Sequence, residues 1–303
     1  MAIDIQQIVN SSFGINLITM LGRGLPPWLG HRIAGLVAEQ VASQRDSKMV
    51  RAVRANQWVA RGESLDDEAL DQAVRETLQH SAYSLYDLYH YIRKTEATRH
   101  LIVLDSTTQQ LSRRPEFDER GLMVVGLHLS NFDLVLQWLC QQGMKPFVLT
   151  IPNPQGGRRM EFEIRRRTGM NLVPISVSAL RQALRHLQQG GAVLTGIDRP
   201  ISEPKACPRF FGRPSALPLH HIFLATKAKV PVMIMVIQFQ ADGKYHVLTS
   251  DLIEMDSYPD RELEMQQNAE KVLNIAESFI RQAPEQWSVS LPVWPEIMDQ
   301  VSN

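Results

Sequence analysis

The hydrophobic positions of the chain follow two different patterns. Up to about Glu96 they recur at the three- and four-residue spacing of amphipathic helices. From Gly121 onward, short apolar runs alternate with helical stretches, as strands and helices do when they follow each other along a chain. This alternation predicts an α/β fold with a mostly parallel central sheet flanked by helices, preceded by an α-helical N-terminal extension. We assign the two parts to residues 1–115 and 116–303 and expect them to form one integrated domain.

The N-terminal part is predicted to contain three helices. The first ends before the segment Arg23–Trp28, whose glycine and prolines interrupt the helical pattern. The second is predicted over about residues 29–50, and the residues expected to face inward on it are Ile33, Leu36 and Val37. A third, longer helix is expected to begin at Ser64–Glu68, which supplies a capping residue and an acidic first turn.

Five apolar runs are the candidate parallel strands: Met123–Leu127, Phe147–Ile151, Leu172–Ile175, Val193–Ile197 and Val232–Phe239. The helical stretches between them lie around Leu134–Gln142, Arg159–Thr168 and Ala179–Gln189. A further strand, Tyr245–Ile253, is expected to run antiparallel after a turn at Asp242–Gly243. Ligands of open α/β sheets bind at the carboxyl ends of the strands, so we expect the functional residues there.

Composition narrows the class of protein. With 303 residues the chain is long enough to bury a sizeable core. Its formal net charge is zero, so the overall charge gives no reason to expect nucleic acid as a partner. The two cysteines, Cys140 and Cys207, lack metal-ligand spacing and need not pair, which suits a reducing cytoplasm. We identify neither a signal peptide nor an apolar run of about eighteen residues that would span a bilayer.

The segment Gly121–Leu139 holds the most distinctive candidate site. His128 follows the first parallel strand, and Asp133 lies in the first turn of the following helix, with the capping types Ser130 and Asn131 between them. On one continuous helix, residues five apart point about 140° away from each other, but a strand–loop–helix bend brings them together. The Asp133 carboxylate would then orient His128 as a general base. On the spacing alone, a purely structural histidine is an equal alternative.

The same spacing occurs at His100 with Asp105 and at His246 with Asp251. The first pair has no capping residue between its ends and is predicted to lie in a strand or a buried helix. The second pair lies in an alternating strand pattern, which places its two side chains on opposite faces. Only His128 and Asp133 have the strand, cap and helix that bring both side chains to one crevice.

An arginine-rich segment, GGRRMEFEIRRRTG, follows the second parallel strand; its arginines are Arg158, Arg159, Arg165, Arg166 and Arg167. A solvated helix face is the ordinary interpretation of such a charge run. Alternatively, one or two of the arginines face the strand ends, where a guanidinium binds phosphate or carboxylate with two parallel hydrogen bonds. The segment is not a P-loop, because the lysine and hydroxyl residue of that motif are missing.

Two further segments lie near the same predicted edge. Asp198 and Arg199 follow the fourth parallel strand and would either pair with each other or contact a ligand. Phe211 belongs to an apolar turn that would line an acyl-binding groove. His220 and His221 come next, in a predicted helix, and we interpret them as structural because no acidic or cysteine residue is suitably spaced.

The first predicted helix is a candidate membrane contact. Its apolar face carries Phe13, Leu17, Met20 and Leu21, and Trp28 follows it. Such a face either packs against other helices or lies in the interface of a bilayer, and the sequence leaves both open.

Five segments resemble, in order, those of the bacterial lipid A biosynthesis acyltransferases: HLSNFDLV, the arginine-rich stretch ending in RRTGMNLVPI, LTGIDRP, RFFGRPS and AKVPVMIMVI. This group includes the related mycobacterial phosphatidylinositol mannoside acyltransferases and belongs to the lysophospholipid acyltransferase superfamily. The resemblance continues upstream through VRANQWVARGESLDDEALDQAV and so covers most of the chain.

The sequence departs from the lipid A enzymes at two places. They usually carry glutamate as the acid of the motif, with tryptophan before it, where this chain has Phe132 and Asp133. This is closer to the mannoside and glycerolipid branches. Near the C-terminus, Pro284–Trp287 is kept without the histidine and arginines that usually follow. These differences leave the acceptor lipid open without affecting acyl transfer itself.

The resemblance implies transfer of an acyl group from acyl-CoA or acyl carrier protein to a hydroxyl of a glycolipid or lysophospholipid. The family's catalytic pair falls on His128 and Asp133, so His128 Nε2 would take the hydroxyl proton while Asp133 holds Nδ1–H. The predicted substrate-binding residues are Asn131, Arg158, Arg159, Arg165, Arg166, Arg167, Asp198, Arg199 and Phe211. We expect no covalent intermediate, no metal and no cofactor beyond the co-substrate. The protein is expected on the cytoplasmic face of the inner membrane, as a peripheral or monotopic protein.

Two other classes of function stay open. A non-catalytic lipid- or glycolipid-binding relative would have no reason to keep both His128 and Asp133. A thioesterase would use water in the same crevice, since acceptor choice depends on the shape of the pocket. A hydrolase with a nucleophile elbow is excluded, because the chain contains no G-x-S-x-G sequence.

Overall fold

A computed structural model describes residues 24–92, 94–106, 108–109, 120–151, 162, 165–166 and 169–301. The first predicted helix lies outside these residues, as do Arg158, Arg159 and Arg167. In the described part, helices and strands form an α/β fold, which confirms the predicted class.

The element bounds are as follows. Helices α1 to α8 span Pro27–Ala42, Lys48–Ala60, Asp67–Tyr91, Thr95–Leu101, Phe132–Gln141, Val177–Gln188, His220–Ala228 and Arg261–Gln282. Strands β1 to β9 span Ile102–Leu104, Leu122–Gly126, Phe147–Thr150, Asn171–Pro174, Ala192–Gly196, Arg209–Phe210, Arg213–Pro214, Val232–Phe239 and Tyr245–Thr249. Short 3-10 turns follow at Pro284–Gln286 and Pro295–Ile297.

The central sheet has seven strands in the order β1-β9-β8-β2-β5-β3-β4. Its neighbouring strands are parallel except β8 and β9, which are antiparallel across the Asp242–Gly243 turn, as predicted. The five predicted parallel strands form with ends within a residue of those expected. Strands β6 and β7 form a separate hairpin that turns through Phe211 and Gly212, both with positive φ.

Helices cover both faces of the sheet. Helix α5 follows β2 and packs with the apolar residues of one face, among them Val124, Leu194 and Met233. Helices α6, α7 and α8 pack with those of the other face, among them Met123, Val193 and Ile234. The neighbouring strands β2 and β5 therefore lead into helices on opposite faces, and this change of face opens a crevice at their carboxyl ends.

The N-terminal helices are divided differently from the prediction. One helix was expected over residues 29–50, but α1 ends at Ala42 and α2 begins at Lys48. The new start is set by Ser47, whose Oγ accepts a hydrogen bond from the Val50 N–H at 3.2 Å. The third helix begins where expected, capped by Asp66, which accepts from the Ala69 N–H.

The orientation predicted for the second helix is wrong. Ile33, Leu36 and Val37 were expected to face inward, but they are 37%, 68% and 43% exposed. Helix α1 instead turns Gly30, Gly35 and Ala38 inward, and a Cβ atom on Gly30 would lie only 2.0 Å from the Tyr86 ring. Small residues allow α1 to approach the tyrosines of α3 closely, so the larger apolar residues stay outside.

The N-terminal and C-terminal parts are joined closely. Asn56 Nδ2 donates hydrogen bonds to the carbonyls of Val289 and Leu291, both at 2.9 Å. Strand β1, which precedes the predicted boundary, belongs to the central sheet. The boundary itself, at residues 115 and 116, lies outside the described residues. Among the helices described, none combines the length and apolarity that crossing a bilayer demands.

Candidate active site

The loop between β2 and α5 has the strand, cap and helix arrangement predicted from the sequence. The chain leaves β2 at Gly126 and reverses at Ser130, whose φ of 46° is in the left-handed region. Asn131 caps α5, because its side chain accepts a hydrogen bond from the Leu134 N–H at 3.3 Å. His128 therefore lies at the carboxyl end of β2, and Asp133 lies in the first turn of α5.

His128 is held by a buried carboxylate from the neighbouring strand. Its Nδ1 lies 2.6 Å from Asp198 Oδ1, and its backbone N–H donates to Asp198 Oδ2 at 2.8 Å. The indole N–H of Trp287 donates to the same Oδ2 at 2.9 Å, and Asp198 is fully buried. The carbonyl of His128 accepts hydrogen bonds from Ser288 N and Oγ at 2.9 and 3.0 Å. Both the ring and the backbone of His128 are thus fixed.

The predicted contact between Asp133 and His128 Nδ1 is wrong, because Asp198 occupies that position. Asp133 forms an ion pair with Arg165 instead. The reason is the register of the sheet, since β2 and β5 end together at the paired residues Gly126 and Gly196. Because of this register, Asp198, two residues after Gly196, lies beside His128, two residues after Gly126.

Charges and burial set the protonation of this pair. Burial, together with the nearby Arg199 guanidinium, lowers the pKa of His128 below its usual 6.5, against the opposing attraction of Asp198. Burial alone would raise the pKa of Asp198, but its contacts with His128 and Trp287 hold that pKa below its usual value. The pair is therefore a neutral imidazole that donates from Nδ1 to a carboxylate. Nε2 is then the ring nitrogen left to accept a proton.

A cavity of about 1120 Å³ lies in front of His128. Adjacent residues of a strand point to opposite faces of a sheet. Both Val148 and Leu149 of β3 line the cavity, as do both Leu194 and Thr195 of β5. The cavity therefore reaches both faces of the sheet around the carboxyl ends of these strands.

We name its two branches after the helices on each face. The α5-side arm is lined by Leu136, Phe162, Met170, Leu172, Met235 and Ile237, which belong to the apolar cluster under α5. The α7-side arm is lined by Leu180, Leu217, Phe223 and Met265, which belong to or pack against the cluster of the opposite face. Gly126 and Gly196 line the junction, where a Cβ atom on Gly196 would lie 3.2 Å from His128 Cε1.

The structure brings four of the predicted residues to this cavity. His128, Asp133, Arg165 and Arg199 all line it. Arg166 is exposed and is not among the described lining residues.

Asn131 and Phe211 are not among the residues that line the described cavity, and their assignment as substrate-binding residues stays a prediction. Asn131 is 3% exposed, and its Nδ2 donates to the Ser84 carbonyl at 2.8 Å, so its side chain is committed to the fold. Phe211 is turned away by the hairpin and packs against Trp287 and Trp294. These rings support Trp287 and, through it, Asp198.

Two functional features were missed by sequence reasoning. Trp287 was noted only as a retained residue, because nothing local to the chain links it to Asp198. His220 was interpreted as structural, but it lines the cavity and its Nε2 lies 2.8 Å from Thr195 Oγ1. His221 is buried, as expected of a structural residue. In the described residues no group of histidine, cysteine and acidic side chains is arranged to hold a metal ion.

Comparison with known proteins identifies the relationship. The sequence model of the family described as bacterial lipid A biosynthesis acyltransferase matches residues 11–295 of the chain. No curated protein matches the chain at a significant level.

Proposed function

Because the chain belongs to the bacterial lipid A biosynthesis acyltransferase family, we propose that it moves a fatty acyl chain from a thioester to a hydroxyl of a membrane glycolipid or lysophospholipid. The thioester is acyl-CoA or acyl carrier protein. The observation that carries the proposal is the neutral His128, fixed by a buried carboxylate and opening onto an apolar cavity.

In the proposed reaction His128 acts as the general base. Its Nε2 accepts the proton of the acceptor hydroxyl while the hydroxyl oxygen attacks the thioester carbonyl. Asp198 orients the ring and stabilises the imidazolium that forms. When the tetrahedral intermediate collapses, the C–S bond breaks and the imidazolium returns the proton to the thiolate. A positioned base of this kind accelerates a reaction by about 10²- to 10⁴-fold.

The cationic side chains of the cavity are assigned to anionic groups. Arg199 is close enough to affect the pKa of His128, so its guanidinium is placed to stabilise negative charge near the reacting carbonyl. Arg165 lines the same cavity and holds Asp133. We assign to it the phosphate of the donor or the headgroup of the acceptor, which a guanidinium binds well.

The exposed face of α1 is assigned to the membrane surface. Trp28 and Leu36 are 69% and 68% exposed, and Ile33 and Val37 extend the same apolar surface. A helix of this kind lies in the interface of a bilayer with its apolar side buried. We propose that the protein binds the cytoplasmic face of the inner membrane through α1 as a peripheral protein.

Acyl transfer is tested with labelled acyl-CoA and acyl carrier protein incubated with a total bacterial lipid extract, resolving both lipids and free fatty acid. Wild-type protein is expected to give a labelled lipid, and His128→Ala to lose it. His246→Ala is the matched control, because His246 has the same spacing to an aspartate but bonds to Asp242 on the surface. Free fatty acid as the main product would instead establish a thioesterase. Equal transfer by His128→Ala would overturn the assignment of the base.

Membrane binding is tested by sedimentation with anionic vesicles. Leu36→Glu is expected to reduce the bound fraction several-fold, since it places a charge in the apolar face. Val177→Glu is the control, because Val177 is equally exposed, at 69%, on helix α6. If both substitutions reduce binding equally, α1 is not the membrane contact.

A further inference from the structure

Helix α3 presents a stripe of polar residues to the loop that carries His128. His80, Ser84 and Asp87 are four and three residues apart, so they share one face of the helix, which we call the α3 stripe. The loop, residues 127–131, joins β2 to α5, and we call it the catalytic loop. Ser84 and Asp87 are buried. Burying polar groups costs free energy unless they are hydrogen-bonded, and packing alone needs only apolar residues, so the stripe needs an explanation.

His80 contacts the residue at which the catalytic loop reverses. Its Nε2 lies 3.1 Å from Ser130 Oγ. Ser130 has a φ of 46°, a left-handed conformation that residues other than glycine rarely adopt. The Ser130 N–H donates to the Gln286 carbonyl at 2.9 Å, so the residue is held from α3 on one side and from the C-terminal segment on the other. Burial lowers the pKa of His80 to about 4, so the ring is neutral at physiological pH.

The next two turns of α3 hold Asn131, the cap of α5. The carbonyl of Ser84 accepts a hydrogen bond from Asn131 Nδ2 at 2.8 Å. Asp87 Oδ2 accepts from the Tyr245 hydroxyl at 2.5 Å, and Asn131 Nδ2 lies 3.5 Å from that hydroxyl. The other oxygen of Asp87 lies 2.7 Å from His31 Nε2 on α1. The stripe therefore reaches the catalytic loop at two consecutive residues.

These contacts bear on His128 through the backbone. Ser130 follows His128 by two residues, and the ring and carbonyl of His128 meet Asp198 and Ser288 only while the loop keeps its path. A displacement of about 1 Å at a reacting group costs roughly 10²-fold in rate. A contact that fixes Ser130 therefore affects catalysis without touching a substrate.

We infer that the α3 stripe positions the catalytic loop, and that His80 is a positioning residue that holds Ser130, and through it His128, in the reactive geometry. His80, Ser84 and Asp87 are not among the residues that line the described cavity, so they act through the loop. The inference rests on the proposed acyl transfer. It makes the helical N-terminal part of the chain a component of the site at the ends of the strands.

Substitutions of His80 separate the hydrogen bond from the space that the ring fills. His80→Phe keeps a planar ring without a polar atom and should lower kcat by about two- to tenfold, the value of one neutral hydrogen bond, with KM unchanged. His80→Gln, whose amide reaches as far as Nε2, should retain most of the activity. An equal loss of kcat in His80→Gln and His80→Phe would overturn the inference.

Thr77→Val is the matched control on the same helix. Thr77 is buried one turn earlier on α3, and its hydroxyl donates to the Ala73 carbonyl of that helix at 2.8 Å. The substitution removes one buried hydrogen bond without changing the α3 stripe, so kcat should stay at the wild-type value. A loss of kcat equal to that of His80→Phe would mean that any weakening of α3 has this effect, and would overturn the inference.

A double-mutant cycle tests the contact itself. Ser130→Ala removes the other partner of the bond, and it replaces His80→Phe if that variant does not fold. The double variant should be no slower than the slower of the two single variants, because both remove the same interaction. Fully additive losses would show that the two residues act independently and would overturn the inference.

A spectroscopic measurement keeps the test independent of turnover. The proton on His128 Nδ1, bonded to a buried carboxylate, should give a strongly downfield resonance in protein labelled with ¹⁵N-histidine, assigned by its loss in His128→Ala. His80→Phe should shift or broaden this resonance, and Thr77→Val should not, in samples shown to be folded by thermal melting. A change in His80→Phe without acyl transfer by wild-type protein would mean that only the proposed reaction fails. An unchanged resonance in folded His80→Phe would overturn the positioning role even if transfer is observed.

Discussion

Two carboxylates lie near the same imidazole, and they differ in nearly every physical respect. Asp198 is fully buried, contacts the ring directly and accepts two further hydrogen bonds. Asp133 lines the cavity, retains 13% of its side-chain exposure and pairs with Arg165. Asp133 raises the pKa of His128 less than Asp198 does. Asp198 is therefore placed to orient the His128 ring, whereas Asp133 lies at the wall of the cavity in front of it.

The comparison shows why spacing along the chain is a poor guide to contact at this site. Asp133 is close to His128 in sequence, but helix α5 carries it toward the cavity and Arg165. Asp198 is distant in sequence, but the parallel pairing of β2 and β5 brings it into contact. The following experiments test this division of roles, beginning with the largest expected effect.

Removing the charge of the orienting carboxylate should be the most damaging change. Asp198→Asn is expected to lower kcat by about 10²- to 10⁴-fold, the range for a lost general base, because the ring loses its orientation and its counter-charge. The measurement is steady-state acyl transfer with thermal melting of the same sample. Since the two residues act as a unit, His128→Ala with Asp198→Asn should be no slower than His128→Ala alone. Fully additive losses would contradict the pairing.

Removing the charge of Asp133 should have a smaller effect of a different kind. Asp133→Asn breaks a charged hydrogen bond to Arg165, which is worth about 1.5–3 kcal/mol and so about 10- to 100-fold. The loss should fall mainly on KM, because the cavity wall changes while His128 stays oriented. Asp251→Asn is the control, because Asp251 is exposed and follows His246 at the same spacing. A loss in kcat as large as that of Asp198→Asn would restore Asp133 as the orienting residue.

Trp287, which binds Asp198, should contribute less to activity than either Asp198 or Asp133. Trp287→Phe removes the indole donor to Asp198 Oδ2, and we expect a several-fold loss of kcat and a lower free energy of unfolding by about 1–3 kcal/mol. Trp294→Phe is a close control, because Trp294 is buried in the same aromatic cluster and its indole N–H has no partner in the described structure. Equal losses of kcat in Trp287→Phe and Trp294→Phe would mean that the packing of the rings, and not the indole donor to Asp198, supports activity.

The smallest effect is a shift in pH dependence. Because the pKa of His128 lies below 6.5, kcat/KM should be constant at neutral pH and fall on acidification with a midpoint below 6.5. Asp198 raises that pKa, so Asp198→Asn should move the midpoint to lower pH. Asp133→Asn should move it in the same direction by less. A pH–rate profile of each variant measures the shift of this midpoint. A larger shift in Asp133→Asn than in Asp198→Asn would contradict the division of roles between the two carboxylates.

The elements of the fold were predictable because their signals are local. Apolar runs such as Val232–Phe239 and the cap at Asn131 fix strands and helix starts over a few residues. The inward face of α1 was not predictable, because the choice between Gly30 and Leu36 depends on the tyrosines of α3. The hairpin that turns Phe211 from the cavity depends in the same way on distant rings.

The candidate site was predictable only in part for a related reason. His128, Arg165 and Arg199 follow strand ends or a charged segment, so their approach to one edge could be inferred from the sequence. The register of the sheet determines that Asp198 is the partner of His128. The path of the chain after α8 determines that Trp287 binds Asp198. Neither depends on a pattern within a short window of sequence.

The contact between Trp287 and Asp198 also fixes when the site is completed during synthesis. The ribosome makes the strands that carry His128 and Asp198 well before the segment that begins at Pro284. Trp287 closes the carboxylate, and Ser288 binds the His128 carbonyl, only after that segment emerges. A nascent chain that stops before Pro284 thus lacks both the indole donor to Asp198 and the contacts that hold the His128 carbonyl.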